Sequence, residues 1–157
     1  MTTKVHLACD GNGRTLAFVV SAGNVNDCTR FEAVWDAIRV TRPGPGRPRT
    51  RPDHVIADKG YSTRAIRTHL RKRGIGATIP ERADHQTNRA RKGPRGGRPP
   101  TFDQQRYARR NVVERCFNRL KQRRGIATRY DKTTESYQAA ITLAAIHQRL
   151  PTFANTP

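Results

Sequence analysis

Residues 42–52 read RPGPGRPRTRP, and no regular core element can be made of them. Proline fixes φ and has no amide hydrogen to donate, so the stretch is neither a helix nor a central strand. It is expected to be a flexible basic loop. Residues 82–100 are similar in composition, with arginine, glycine and proline and almost no apolar side chain. They are expected to form a second solvated basic loop, disordered without a partner. The core must come from the rest of the chain.

The rest carries clear periodicities. Val5, Leu7 and Cys9 alternate up to the turn signal Asp10-Gly11-Asn12-Gly13, and Leu16, Phe18 and Val20 alternate after it. That pattern predicts a β-hairpin. Asn26-Asp27 offers an N-cap, and Phe31, Val34, Trp35 and Ile38 fall at i, i+3, i+4 and i+7, so a helix is predicted over 28–39. Residues 54–58 form a short apolar strand ending in the carboxylate of Asp58. Ser62 is placed to cap a helix over 63–73 that Gly74 ends, and residues 76–80 form another short strand. Strand, helix and strand in that order imply parallel pairing. A long helix is predicted over 103–124, stopped by Gly125. The last helix, over 134–150, has Tyr137, Ala140, Ile141, Ala144 and Ile146 on more than one side and is expected to be well buried. The sum is an α/β domain over residues 1–150 with a tail at 151–157.

The formal net charge is +19, and 25 of the 31 basic residues are arginine. Such a charge repels itself in a compact chain and fits a polyanionic partner, most often nucleic acid. Arginine clamps phosphate bidentately, although a GC-rich genome gives the same excess. Basic proteins of membrane surfaces usually carry an amphipathic helix with large apolar residues opposite the charges, and none is evident here. No signal peptide or membrane span is read either, so the expected location is cytoplasmic, with no membrane and no small-molecule substrate. Cys9, Cys28 and Cys116 are odd in number and scattered, which predicts a reducing compartment and no disulfide framework. The five histidines are equally scattered, so no zinc site is expected.

The helix over 103–124 carries the chemistry. Tyr107, Arg110, Glu114 and Lys121 are spaced 3, 4 and 7 apart and share one narrow stripe, beside the apolar stripe Val113, Cys116, Phe117 and Leu120. On its own the stripe is either a solvated face with i, i+4 ion pairs or a site. Asp58 is likewise either a turn and capping residue or a ligand. Tyr107-x2-Arg110-x3-Glu114-x6-Lys121 resembles the tyrosine–arginine–glutamate–lysine pattern of bacterial insertion-sequence transposases of the Asp-Asp-Glu type. The segments TTKVHLACDGNGRTLAFVVSAGNVND, VIADKGYSTRAIRTHL and YARRNVVERCFNRLKQRRGIATRYDK are similar to that family too. The resemblance runs from about Thr2 to Leu150.

It implies a ribonuclease H-like fold, a mixed sheet with packing helices. Two aspartates from different strands and a glutamate from a later helix would hold two divalent ions, Mg²⁺ or Mn²⁺. Asp58 matches the second aspartate and Glu114 the glutamate, as catalytic and metal-binding residues. Hard oxygen ligands suit Mg²⁺, and two-metal phosphoryl transfer needs carboxylates around ions roughly 3.5–4 Å apart. Lys59, Tyr61, Tyr107, Arg110 and Lys121 become DNA or active-site contacts by resemblance. Arg91, Lys92, Arg95 and Arg98 of the second basic loop are expected to bind phosphates. The implied partner is double-stranded DNA, engaged by a homodimer.

In the family the first aspartate lies on a strand before the hairpin, whereas Met1 here falls just before that hairpin. The chain is therefore expected to lack the first strand and to expose a sheet edge. Asp10 reads as a turn residue and Asp27 as a helix cap. A decayed remnant, one half of a frameshifted transposase, and a DNA-binding inhibitor all fit. Two functions stay open: a metal-dependent polynucleotidyl transferase, and a non-catalytic basic DNA-binding fragment or inhibitor of transposition. The lack of a stacking-aromatic pattern argues against a single-strand or RNA binder.

Overall fold

The computed structural model describes residues 2–129 and 133–149. The end of the last helix at Leu150 and the tail at 151–157 lie outside the described residues.

The predicted hairpin is β1 (Thr3–Cys9) against β2 (Thr15–Ala22), antiparallel, with Val5 opposite Val20 and Leu7 opposite Phe18. Asp10 closes its turn, accepting from the amides of Asn12 (2.9 Å) and Arg14 (2.8 Å). Gly13, at φ +76, supplies the left-handed residue such a turn requires. Both faces of the hairpin are covered. Val5, Leu7, Phe18 and Val20 pack on a cluster of Leu120, Ile126, Tyr137, Ile141 and Ala144. Ala8 and Ala17 face the opposite cluster, which includes Phe31, Trp35, Ile66 and Leu70. Burial on two sides explains why LAFVV runs almost continuously apolar.

The helix expected over 28–39 is shorter. Asn26 caps a 3-10 turn, Asp27–Arg30, and α1 spans Phe31–Asp36. The Arg39 guanidinium donates to the carbonyls of Asp36 (2.7 Å) and Ile38 (2.8 Å), satisfying groups that another helical turn would have used. The first basic loop is pinned at its base, because Val40 and Arg49 exchange backbone hydrogen bonds of 3.0 and 2.8 Å.

The strand–helix–strand unit forms as expected. β3 (His54–Ile56) pairs in parallel with β4 (Gly76–Thr78) through α2 (Arg64–Lys72). Gly74, at φ +64, ends α2. The cap is Thr63, not Ser62. A 3-10 turn at Lys59–Tyr61 moves the extended capping conformation on by one residue, and Ser62 is buried and bonded by Arg67. Leu70 and Ile79 are fully buried, each stabilising the fold by about 1.5–3 kcal/mol.

Three further expectations are corrected. Among the described residues the strands form two separate pairs, β1–β2 and β3–β4, not one mixed sheet. Between them lies an apolar cavity of about 190 Å³, lined among others by Leu7, Ala8, Trp35, Val55, Ile56 and Val113. The second basic stretch is not featureless, since α3 spans Ala83–Arg91 and a 3-10 turn spans Gly93–Gly96. Its nine helical residues contain no glycine or proline, and Arg89 is tied to Glu81 by an ion pair. The long helix is divided into α4 (Gln104–Ala108), α5 (Asn111–Lys121) and α6 (Arg124–Thr128), and Gly125 lies inside α6 instead of ending a helix. The final helix, α7 (Thr134–Arg149), buries Tyr137, Ile141 and Ala144. Leu143 and Ile146, 68% and 50% exposed, remain outside because the hairpin and its neighbours cover one face only.

Candidate functional site

Asp58 lies two residues beyond β3, at the carboxyl end of the parallel pair. Its backbone is extended (φ −78, ψ 175), and the Gly60 N–H donates to its carboxylate at 2.8 Å. The capping reading of Asp58 is therefore physically real. Among the described residues its second carboxylate oxygen accepts no protein hydrogen bond.

Gly60 brings a second carboxylate close. A Cβ there would sit 3.0 Å from an Asp58 oxygen and 3.3 Å from an Asp27 oxygen, so the two acids flank one glycine. Asp27 is not the helix cap, a role Asn26 takes. Lys4 Nζ donates to it at 2.9 Å, and His6 Nδ1 lies 3.8 Å away. His6 is buried on β1, with Nε2 2.8 Å from Ser21 Oγ and Nδ1 3.5 Å from the Tyr61 hydroxyl. Burial lowers the His6 pKa, with Asp27 opposing that shift and Lys4 and Arg30 adding to it. Burial, reinforced by Asp27 and Asp58, pushes the Tyr61 phenol up to about 12, so it stays protonated. Tyr61 packs on Phe31 with ring centroids 6.3 Å apart, half in the core, whereas Lys59 is exposed. Arg82 and Asp84, paired at 3.1 Å, line the same shallow groove as Asp27 and Asp58.

Glu114 occupies the first turn of α5 and is half exposed. Arg110, four residues earlier, forms an ion pair with it. The Arg110 guanidinium also lies 5.7 Å from the centre of the Tyr107 ring, which packs on Phe102 at 5.2 Å. The stripe read from spacing is thus a chain of contacts from Tyr107 through Arg110 to Glu114. It survives the break between α4 and α5 because the junction is tightly wound, with i→i+3 hydrogen bonds from Arg109, Arg110, Val112 and Val113. Lys121 is exposed at the end of α5.

Two groups therefore form: Asp58 with Lys59, Tyr61 and Asp27, and Tyr107 with Arg110 and Glu114. Ala57 and Tyr61 of the first region, and Val113 next to Glu114 in the second, line the same apolar cavity. Arg91 ends α3, Lys92 links it to the 3-10 turn that contains Arg95, and Arg98 follows; all four are exposed. Asp27 was missed as a neighbour of Asp58, and Lys4 and His6 as neighbours of Asp27, since no spacing rule links positions 4, 6, 27 and 58.

The divalent metal expected from the sequence can be tested against these donors. Among the described residues no three His, Cys, Asp or Glu side chains come together as a metal-binding group. One Asp58 oxygen accepts from Gly60, Asp27 is held by Lys4, and Glu114 is held by Arg110. In this arrangement the described residues do not build a two-metal site.

The family described as "Transposase DDE domain" matches residues 1–148. The chain is 41% identical over 80 residues to "Putative transposase for insertion sequence element IS402" of Burkholderia cepacia, across 51% of this chain and 38% of that protein. It is 29% identical over 144 residues to "Putative transposase for insertion sequence element IS6501" of Brucella ovis, across 92% of this chain and 95% of that protein. No solved structure matches the chain.

Proposed function

The chain belongs to the transposase DDE domain family, and on that premise we propose that it acts on double-stranded DNA at the ends of an insertion sequence. The reaction is phosphoryl transfer in two steps. Water attacks a backbone phosphorus and the 3′ oxygen leaves, giving a 3′-hydroxyl and a 5′-phosphate. That 3′-hydroxyl then attacks a target phosphodiester, forming one new ester bond and releasing another 3′-hydroxyl.

The observation that carries this reading is the contact chain Tyr107–Arg110–Glu114, with Asp58 at a strand end; Ala57 and Val113, the sequence neighbours of Asp58 and Glu114, line the same cavity. In this reading Asp58 and Glu114 are catalytic and belong to the carboxylate set for Mg²⁺ or Mn²⁺. A metal, once bound, supplies charge neutralisation at the reacting phosphate. A further carboxylate would be needed to complete that set, because the described residues alone do not complete it. Arg110 is already beside Glu114 and can turn its guanidinium to the phosphate oxygens, and Lys121 extends the cationic track. Lys59, Tyr61 and Tyr107 contact DNA near the reacting bond, while Arg91, Lys92, Arg95 and Arg98 hold flanking phosphates. A homodimer on paired ends, working in the cytoplasm at the nucleoid, completes the reading. No helix of the described residues is long and apolar enough to cross a membrane.

That no three-donor group forms among the described residues favours a second reading, in which the chain binds duplex DNA without chemistry and inhibits transposition. Nicking of supercoiled plasmid with Mn²⁺ separates the two. Under the first, Asp58→Asn and Glu114→Gln each lower nicking at least roughly 100-fold, about 2.7 kcal/mol of barrier, with duplex affinity unchanged. If wild type and both variants nick equally or not at all while binding DNA alike, the second reading stands.

A further inference from the structure

The strand pair has two ends, and the functional reading uses only one. β3 and β4 run in the same direction, so Asp58 and Arg82 emerge beyond their carboxyl ends. Asp53 and Gly74 sit before their amino ends. At about 3.3 Å per residue, Asp53 and Asp58 are roughly 16 Å apart along the strand. The amino-terminal pole gathers the first basic loop against the last turn of α2. Arg51 donates to the Gly74 carbonyl at 3.0 Å, joining loop to helix. Arg49 donates to both Asp53 oxygens (2.8 and 2.9 Å) and to the Arg51 carbonyl (3.1 Å). With the Val40–Arg49 bridge, these contacts hold the loop against the fold.

That scaffold displays more cations than its own structure uses. Arg42, Arg49, Arg51, Asp53 and Gly74 line one open groove. Arg71 and Lys72 lie in the turn just before Gly74, and Arg47 is in the loop. Arg51 already satisfies the helix-end carbonyl, and Arg49 neutralises Asp53. Arg42, Arg47, Arg71 and Lys72 are exposed and form no ion pair among the described residues. Mutual repulsion of such a cluster destabilises the free protein, and neutralisation by phosphates relieves it.

The geometry points to a second duplex-DNA docking surface at the amino-terminal pole of the β3–β4 pair, separate from the surface at Asp58. It takes the phosphate backbone, whose contacts carry no sequence information. This deepens the proposed function by adding a place for a DNA segment other than the one being cut, but it does not depend on Asp58 or Glu114 being catalytic.

The test is the salt dependence of affinity for a random-sequence duplex. It compares wild type with a variant carrying Arg42→Gln, Arg47→Gln, Arg71→Gln and Lys72→Gln. Arg49 and Arg51 are kept because they hold the loop, and a thermal melt confirms that the variant folds. Each phosphate contact contributes about 0.9 to the slope of log K against log salt, so the four together should lower the slope by about 3–4. The affinity lost between roughly 50 mM and 200 mM salt then shrinks by roughly 100-fold. Hydrogen exchange of the wild type should show residues 42–52 and 71–74 protected by the duplex. A slope change of two or more with that protection supports the surface; a smaller change, or no protection there, overturns it. Equal protection by single-stranded RNA or by phosphatidylglycerol vesicles overturns the duplex assignment. Wild-type protein with no duplex affinity would sink this surface and the proposed function together. An unchanged slope alongside nicking that needs Asp58 would sink this surface alone.

Discussion

At the carboxyl end of β3, Asp58 is fixed by a backbone amide and walled by Tyr61 and Asp27, with Lys4 and His6 behind them. On α5, Glu114 reaches from a helix face, half in water, and is held by one guanidinium. The first acid is placed by the chain fold, and the second by a side chain that could leave it for a phosphate. The first has therefore a structural role that outlasts any chemistry. The second has almost none, since an ion pair this exposed stabilises a protein by about 0–1 kcal/mol.

The largest expected effects test this contrast directly. Asp58→Ala and Asp58→Asn should both abolish nicking, but only alanine removes the acceptor for Gly60. Denaturant unfolding should therefore find Asp58→Ala less stable by about 1 kcal/mol and Asp58→Asn nearly unchanged. Glu114→Gln should lose nicking with stability within about 0.5 kcal/mol of wild type. Were Asp58→Asn to nick normally, Asp58 would be a cap and nothing more, and the two acids would differ in kind.

How much of this was legible depended on whether the signal was local. The hairpin, the parallel strand–helix–strand unit and the Tyr107–Arg110–Glu114 contacts followed from alternation, glycine punctuation and helical spacing, all within a few residues. The separation of β1 from β3 is a fact about positions some fifty residues apart, and no periodicity carries it. Helix α3 was hidden by averaging: residues 82–100 are rich in glycine and proline, but 83–91 contain neither. The break at Arg109–Arg110 has no glycine or proline to announce it. Asp27 had the local chemistry of a cap, and only the fold carries it past Asn26 to the side of Asp58.

The support behind Asp58 predicts a pH dependence of stability. Burial leaves His6 with a folded pKa below its unfolded value of about 6.5, so the unfolded chain binds more protons in that window. Its stabilising contribution is complete above about 6.5 and is lost as pH falls toward the folded value. His54 is lowered too, by burial and then Arg106, and acts in the same sense. Urea midpoints should drop on acidification from about pH 7.5 to 5.5, and His6→Asn should flatten part of that drop. An identical slope in the variant would remove His6 from the support of this site.

The smallest effect is spectroscopic and isolates Asp27. Tyr61 ionises late, at about 12, first because it is buried and then because Asp27 and Asp58 oppose a third negative charge. Asp27→Asn removes one of those charges and leaves the burial. Phenolate absorbance should therefore show the phase that Tyr61→Phe deletes moving down in Asp27→Asn but stopping above the ordinary value of 10. A phase that stayed put would mean that Asp27 does not act on Tyr61 in solution. Asp58 would then stand in its groove without the second acid, and the contrast with Glu114 would rest on the Gly60 amide alone.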